Sequence, residues 1–284
     1  MKKIGLVVKS DAKAKQKAAE LKQWLRSKKI EIVRKKTAES GQKNSTDSLS
    51  PAPSDLDCIF VLGGDGTFLS AVRWIGDQDI PILGIKFGEV GFLAEIAEEN
   101  LYTAAEKVLK GDFILRQRMR LSVKVRRQNE ILAQETVLND VVINRGALAR
   151  LAHIETYIDN HYLTTYSADG LIVATPTGST AYSLATGGPI LLPDTEAVIV
   201  TPIAPHTLSV RPIVLPPTSK VEIQIGKKGS AVLVADGQRC KLIRKKHTIT
   251  FSKADYHVKL IKPLHTTFFT TLREKMQWGG REDA

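Results

Sequence analysis

One carboxylate stands among three glycines in the segment Gly63-Gly64-Asp65-Gly66-Thr67, which directly follows the apolar run Cys58–Leu62. Glycines let backbone N–H groups approach an anion closely, and the start of a following helix adds partial positive charge. The segment therefore predicts a phosphate-binding turn between a strand and a helix. It has neither the lysine of a P-loop nor the G-x-G-x-x-G spacing of dinucleotide-binding Rossmann folds.

The position of Asp65 predicts a catalytic group. A carboxylate beside a phosphate is repulsive unless it holds a metal ion or accepts a proton. The structural alternative is a plain turn in which Asp65 caps the next helix.

A second polar block extends from Asp169 to Pro189. An apolar strand over 171–174 enters a turn rich in Pro, Gly, Ser and Thr, and Ser179 or Thr180 is expected to cap a short helix that contains Tyr182. Hydroxyls and amides suit a ribose and its phosphates, and the aromatic ring suits a base. A structural turn at a sheet edge is the alternative interpretation of this block taken alone.

These segments together resemble the NAD kinase family. The turn at 63–67 is shared by NAD kinases, diacylglycerol/sphingosine-type lipid kinases and phosphofructokinases, whereas the block at 169–189 closely resembles the most specific NAD kinase motif. The stretches at 138–143 and 205–212 also agree, so the resemblance spans roughly residues 58–240. It implies an ATP-dependent kinase that phosphorylates the 2′-hydroxyl of the adenosine ribose of NAD to give NADP.

The resemblance also implies a role for particular residues. Asp65 would accept the proton of the ribose hydroxyl, and Mg²⁺ would be delivered with ATP rather than held by a protein cage. The expected nucleotide contacts are Gly63, Gly64, Gly66 and Thr67 toward ATP phosphates, Asn139 and Asp140 toward NAD, Asp169, Thr180, Ala181, Tyr182 and Ser183 toward the dinucleotide, and Arg150, Ser167, Ala185 and Gln238 at the periphery.

Two positions depart from the family pattern. Lys86 stands where asparagine is usual, and it is longer, charged and purely a hydrogen-bond donor. Ser70 stands where many relatives have a basic residue, so fewer phosphate contacts are expected there.

The elements around these motifs predict an α/β domain followed by a β-rich domain. Short apolar runs at 4–8, 30–33, 58–62 and 82–85 alternate with helical periodicity at 13–28 and 67–75, which is typical of a parallel sheet covered by helices. From about Met119, segments of period two predict an all-β sandwich. We expect a nucleotide domain at 1–117, a NAD-binding domain at 118–264, and a C-terminal helix over 268–278 within a segment 265–284 that returns to the first domain.

Composition and charge indicate which classes of binding partner the chain is suited to. Of a net charge of +11, residues 1–50 contribute +9, but these basic residues flank an apolar stripe at Ala18, Leu21 and Leu25, which is typical of a solvated helix face. Aromatic residues make up 6% and do not interleave with the basic ones, so we expect no nucleic-acid partner. The apolar runs are too short for a membrane span, and two isolated cysteines indicate no disulfide framework.

The same reasoning predicts a cytoplasmic protein without a membrane partner, and the resemblance implies a homodimer or homotetramer. Two other functions stay open at this point. A related diacylglycerol-type lipid kinase would need an apolar acceptor groove, and a catalytically silent regulator would bind NAD without transferring phosphate.

Overall fold

The computed structural model describes residues 1–35, 50–88, 91–145, 152–207, 209–226, 230–262 and 267–278. The chain divides into two compact units, Met1–Gln117 with Val258–Ala284, and Arg118–His257. In chain order, the strands are β1 (Lys3–Val8), β2 (Glu31–Arg34), β3 (Cys58–Leu62), β4 (Ile82–Lys86), β5 (Ile96–Ala97), β6 (Ile114–Arg118), β7 (Leu121–Arg127), β8 (Glu130–Val137), β9 (Asp140–Arg145), β10 (Ala152–Ile158), β11 (His161–Ala168), β12 (Gly170–Ala174), β13 (Val198–Ile203), β14 (Ile213–Leu215), β15 (Val221–Ile225), β16 (Ser230–Ala235), β17 (Arg239–Arg244), β18 (His247–Lys253) and β19 (Val258–Lys262). The helices are α1 (Ala12–Ser27), α2 (Asp65–Ile75), α3 (Leu101–Lys110), α4 (Tyr182–Ala185) and α5 (Phe268–Met276), with short 3₁₀ turns at Glu98–Asn100 and Thr177–Thr180.

A seven-stranded sheet forms the centre of the first unit. Its strand order is β2-β1-β3-β4-β19-β6, with β5 beside β4, and the pairs β1–β2, β1–β3, β3–β4, β4–β5 and β4–β19 are parallel. Every residue of β3 is buried, as expected for a central strand that is covered on both faces. The predicted α/β architecture with a parallel sheet is confirmed.

Helix α1 shows why the basic start of the chain folds as a surface helix. The Asp11 carboxylate accepts a hydrogen bond from the Ala14 N–H at 2.8 Å and caps the helix. Ala14, Ala18, Leu21 and Leu25 are buried along one side, so the predicted apolar stripe faces the core of this unit.

The end of the chain belongs to the first unit. Strand β19 pairs with β4, although the sequence boundary at 264 had assigned this segment to the second domain. The helix expected over 268–278 is present as α5, and the Phe268 ring lies 5.9 Å from the Phe92 ring. Alternation of apolar residues cannot distinguish an edge strand of one sheet from a strand that joins another.

The second unit is an antiparallel sandwich. One sheet has the order β11-β10-β15-β18-β7-β8 and the other β14-β13-β12-β9-β16-β17. Inward side chains of both sheets, such as Val123, Ile249, Ile143 and Val173, form one continuous core. Strand β12 is apolar throughout because its other face also packs into a smaller buried cluster. The predicted all-β sandwich is confirmed.

None of the helices in the described ranges combines the length and the apolar composition that a membrane span requires. Cys58 is buried in β3 and Cys240 is exposed on β17, both as free thiols.

Candidate active site

The glycine turn joins β3 to α2 in the first unit. The Gly63 N–H donates to the Ile85 carbonyl at 2.9 Å, and the Gly63 carbonyl accepts from the Phe87 N–H at 3.3 Å, so the turn is fixed to the end of β4. A Cβ at Gly63 would lie 2.4 Å from Thr67 Oγ1. Position 63 therefore needs glycine because the turn packs directly on the first turn of the helix.

Asp65 lies at the start of α2, half-buried, with its carboxylate directed to another loop. Its oxygens accept hydrogen bonds from the N–H groups of Phe92 at 3.0 Å, Leu93 at 3.1 Å and Ala94 at 3.3 Å. Gly91 stands directly before these three residues, and a Cβ at this position would come within 2.2 Å of Asp65 Oδ1. The alternative in which Asp65 caps its helix is therefore wrong, since Gly64 is the N-cap and no side chain caps α2.

Three amide contacts define what this carboxylate can do. A carboxylate offers about four acceptor positions, and three are used by the amides of residues 92–94. The group is thus held in one orientation with capacity for about one more hydrogen bond. That geometry can direct the remaining acceptor position toward one hydroxyl.

A lysine ammonium does lie at Ser70 in helix α2. Lys35 is 8% exposed, and its Nζ donates to the Ser70 carbonyl at 3.0 Å and to Ser70 Oγ at 2.5 Å. A positive charge thus reaches this helix from the end of β2, although position 70 itself is a serine. Lys86 is half-buried at the end of β4, directly beside the glycine turn.

The second unit contains a cavity of about 330 Å³. Its lining includes four of the expected nucleotide contacts, namely Asn139, Asp140, Ala181 and Tyr182, together with Val142, Asn144, Val234, Asp236 and Gly237. The paired strands β12, β9 and β16 bring these residues together from segments that are far apart in sequence. The cavity combines apolar walls with a few polar groups, as small-molecule sites do.

The backbone around Asn139 is packed tightly. The Asn139 carbonyl accepts a hydrogen bond from the Thr175 N–H at 2.9 Å, and a Cβ at Gly178 would lie 2.1 Å from that same carbonyl oxygen. The Pro/Gly/Ser/Thr turn after β12 therefore fixes Asn139 by backbone contact.

Asp140 is buried, and its environment changes its acidity. Burial is the largest cause that raises the pKa of the Asp140 carboxyl from 3.8 to about 7, and the nearby negative charge of Asp236 is the second. A hydrogen bond from the Tyr182 N–H to this carboxylate has the opposite effect and lowers the pKa. Near neutral pH this group can therefore be a hydrogen-bond donor or an acceptor.

Sequence reasoning missed Asp236, Gly237 and Asn144 as cavity residues. An Asp-Gly pair is a turn signal, and it stands directly before the expected contact Gln238. That signal indicates a turn but does not indicate which strand end the turn approaches.

The other expected contacts in the described ranges have different neighbours. Asp169 pairs with Arg145 Nε at 3.0 Å, Ser167 Oγ lies 3.1 Å from His153 Nδ1, and the buried Ser183 Oγ lies 3.0 Å from Thr201 Oγ1. Thr180 Oγ1 donates to the Thr177 carbonyl, and Ala185 and Gln238 are exposed. Arg150 lies outside the described residues.

The expected cap of helix α4 is wrong. The helix begins at Tyr182, and its N-cap is Ala181, without a side-chain cap. Ser179 Oγ instead donates to the Pro176 carbonyl at 2.6 Å and accepts from the Leu191 N–H at 3.0 Å, because the 3₁₀ turn separates it from the helix start.

Comparison with known proteins decides the family. Residues 4–113 match the ATP-NAD kinase N-terminal domain, and residues 138–263 match the ATP-NAD kinase C-terminal domain. The NAD kinase of Desulfatibacillum aliphaticivorans is 49% identical over 281 residues, which cover 99% of each chain. The chain belongs to the NAD kinase family.

Further relatives agree with this assignment. The NAD kinase of Geobacter sp. (strain M21) is 42% identical over 289 residues, covering 99% of this chain and 100% of the relative. An NAD kinase from Archaeoglobus fulgidus, solved in complex with ATP, aligns with a TM-score of 0.77 at 25% identity over 98% of this chain and 100% of its own. Yeast NADH kinase, solved with NADH, shares the fold with a TM-score of 0.87 at 24% identity, covering 100% of this chain and 89% of its own.

The family assignment gives the activity. This NAD kinase is an enzyme that uses ATP to phosphorylate NAD. The lipid kinase and the catalytically silent regulator, both left open by the sequence, are thereby set aside.

Proposed function

We propose that Asp65 is the base of this NAD kinase and that the second-unit cavity holds NAD. The reaction moves the γ-phosphoryl group of ATP to the 2′-oxygen of the adenosine ribose, and the hydroxyl proton passes to the Asp65 carboxylate. ADP leaves with the electrons of the broken P–O bond. The products are NADP and ADP.

The observation that carries this proposal is the fixation of the Asp65 carboxylate by the amides of Phe92, Leu93 and Ala94. Phosphoryl transfer depends on positioning and on charge neutralisation more than on covalent chemistry. A carboxylate that is held by neutral donors keeps one orientation toward a hydroxyl. We assign the phosphate oxygens to the start of helix α2 beside it, where the helix N-terminus adds partial positive charge.

In the second unit, we assign NAD binding to Asn139 and Asp140, with the Tyr182 ring against a base. The amide and the carboxyl line one cavity and offer both donors and acceptors to a sugar or an amide edge. Asp169, Thr180, Ser183 and the peripheral residues stay predictions from the family resemblance.

We assign the divalent cation to Mg²⁺ carried by ATP. No group of three or more His, Cys, Asp or Glu side chains within the described residues is placed to hold a metal ion. Mg²⁺ usually keeps several waters and binds through one or two carboxylates plus substrate phosphates. The N–H groups of the glycine turn cannot coordinate a cation, so the ion would be held mainly by the nucleotide phosphates and water. Bound there, the ion would neutralise charge on the transferred phosphoryl group.

We propose a homodimer or homotetramer on the resemblance alone, and a cytoplasmic location on the composition of the sequence. Light scattering on the purified chain measures the first directly.

The decisive experiment replaces Asp65 with Asn. We expect kcat for NADP formation to fall by about 10²- to 10⁴-fold, the usual contribution of a positioned base. The fold should be kept with a modest loss of thermal stability, because the Asn Nδ2 group would face the Phe92 N–H, which is also a donor. NADP is measured with a coupled dehydrogenase in the presence of NAD, ATP and Mg²⁺.

Asp57→Asn is the matched control. Asp57 stands at the opposite end of β3, and its carboxylate also accepts backbone N–H groups, from Lys2 and Lys3. This variant should keep the wild-type kcat. Retention of most of the rate in Asp65→Asn would remove Asp65 from the role of base.

A further inference from the structure

Asp236 is a buried acid at the turn between β16 and β17. It is 6% exposed and has a left-handed backbone conformation with φ of 46°, followed by Gly237 with φ of 65°. A non-glycine residue in this conformation is uncommon, and it persists where surrounding contacts hold it.

The Asp236 carboxylate is bound to the segment from which the NAD-binding pair projects. Its oxygens accept hydrogen bonds from the N–H groups of Leu138 at 3.0 Å, Asn139 at 2.8 Å and Asp140 at 3.3 Å. The Asp236 N–H in turn donates to the Asp140 carbonyl at 2.9 Å. The two turns are therefore joined through both side chain and backbone, although about 95 residues separate them.

We propose that Asp236 is a positioning residue for the dinucleotide site, which fixes the backbone of residues 138–140 so that Asn139 and Asp140 present their polar groups to NAD. This inference rests on the proposed role of Asn139 and Asp140 in NAD binding. Asp236 acts through those two residues and needs no contact with the substrate.

The charge of Asp236 should make this role measurable in the pH dependence of NAD binding. The titratable side chains that line the cavity, within the described residues, are Asp140, Asp236 and Tyr182, and no cationic side chain is among them. The carboxylate of Asp236 contributes, after burial, to the raised pKa of Asp140. NAD binding should therefore change with pH around the titration of Asp140, with a midpoint that depends on Asp236.

The test is Asp236→Asn, with steady-state kinetics over a range of pH. The variant can keep two acceptor contacts through Oδ1, but its Nδ2 group would face the Leu138 N–H, which is also a donor. We expect KM for NAD to rise about tenfold or more, because the free energy of one charge-assisted hydrogen bond corresponds to a change in affinity of that size. KM for ATP should stay close to the wild-type value. The midpoint of the KM profile for NAD should move to lower pH by about one unit.

Asp159→Asn is the matched control. Asp159 also lies in the second unit with positive φ, and its carboxylate accepts the Lys220 N–H at 2.8 Å, but it is exposed and outside the cavity lining. It should leave both KM values and the midpoint unchanged. Asp236→Glu keeps the charge but displaces the amide contacts, so KM for NAD should rise while the midpoint stays near that of wild type.

These measurements distinguish a failure of the inference about Asp236 from a failure of the proposed NAD-binding role. A wild-type KM and midpoint in Asp236→Asn overturns the inference, and so does a uniform fall in stability, kcat and both affinities without a shifted midpoint. If Asp236→Asn does not fold, Asp236→Glu decides, and an unchanged KM for NAD overturns the inference. If Asn139→Ala and Asp140→Asn leave KM for NAD unchanged, it is the proposed role of that pair that fails.

Discussion

Replacement of Asp140 by Asn should make the protein more stable at neutral and alkaline pH. In the folded chain, burial and then the charge of Asp236 raise the pKa of the Asp140 carboxyl to about 7, whereas an unfolded aspartate ionises near 3.8. The folded state therefore binds more protons than the unfolded state between these values. The stability that the neutral carboxyl provides is fully present below pH 3.8 and is lost as pH rises to about 7.

The size of the effect follows from the two pKa values. Since one pKa unit corresponds to about 1.4 kcal/mol, the advantage of Asp140→Asn should be below about 1 kcal/mol at pH 4, about 2 kcal/mol at pH 5 and about 4 kcal/mol above pH 7. For a unit of this size, about 4 kcal/mol raises Tm by roughly 10 °C. The same substitution should weaken NAD binding, because stabilising replacements at binding sites commonly reduce function.

Thermal unfolding followed by circular dichroism at several pH values, with wild type and Asp159→Asn in parallel, measures this difference. Comparison with wild type removes the contributions of other carboxylates, which are common to both proteins. A Tm difference that does not grow between about pH 4 and pH 8 would refute the reasoning, as would a variant that is less stable than wild type at pH 8.

Two glycine substitutions test the backbone contacts at the two sites. Gly91→Ala would place a Cβ 2.2 Å from Asp65 Oδ1, so it should lower kcat at least tenfold. NAD binding measured by calorimetry should change little. An unchanged kcat would show that catalysis does not require the hydrogen bonds between the Asp65 carboxylate and the backbone amides. Gly178→Ala would place a Cβ 2.1 Å from the Asn139 carbonyl oxygen, so it should lower the Tm and raise KM for NAD. Gly76→Ala, where no atom lies within 4 Å but φ is 61°, separates backbone strain from steric conflict, and it should reduce stability by about 1 kcal/mol without a change in either kinetic constant.

Local sequence signals were sufficient for the elements that carry the first site. The run Cys58–Leu62 was predicted as a buried strand and has the same bounds in the structure, because five consecutive apolar residues fit a central parallel strand that is covered on both faces. The glycines after it predicted the turn, and the carboxylate among them predicted a chemical role for Asp65. These signals lie within one segment, so a reading of neighbouring residues can find them.

Contacts between distant segments could not be predicted in the same way. The amides that hold Asp65 come 27 to 29 residues later, and those that Asp236 holds come 96 to 98 residues earlier. Asp236 reaches residues 138–140 because β16 pairs with β9, and the alternating pattern of each strand does not specify its partner. The failed cap at Ser179 has a related cause, since an inserted 3₁₀ turn moved the helix start beyond the hydroxyl.

The two sites hold their carboxylates by the same device, three consecutive backbone N–H groups. A lysine or arginine partner would also fix a carboxylate, but its charge would attract the substrate phosphates and compete for the same group. Backbone amides carry no net charge, and they do not depend on the side chains at residues 92–94 or 138–140. Substitutions of the side chains at residues 92–94 should therefore be tolerated more readily than an added Cβ at Gly91, where the requirement is for space beside the backbone. Asn139 and Asp140 differ, because their own side chains line the proposed NAD site. Sensitivity to mutation in this enzyme should thus concentrate at the acids and at the glycines beside them.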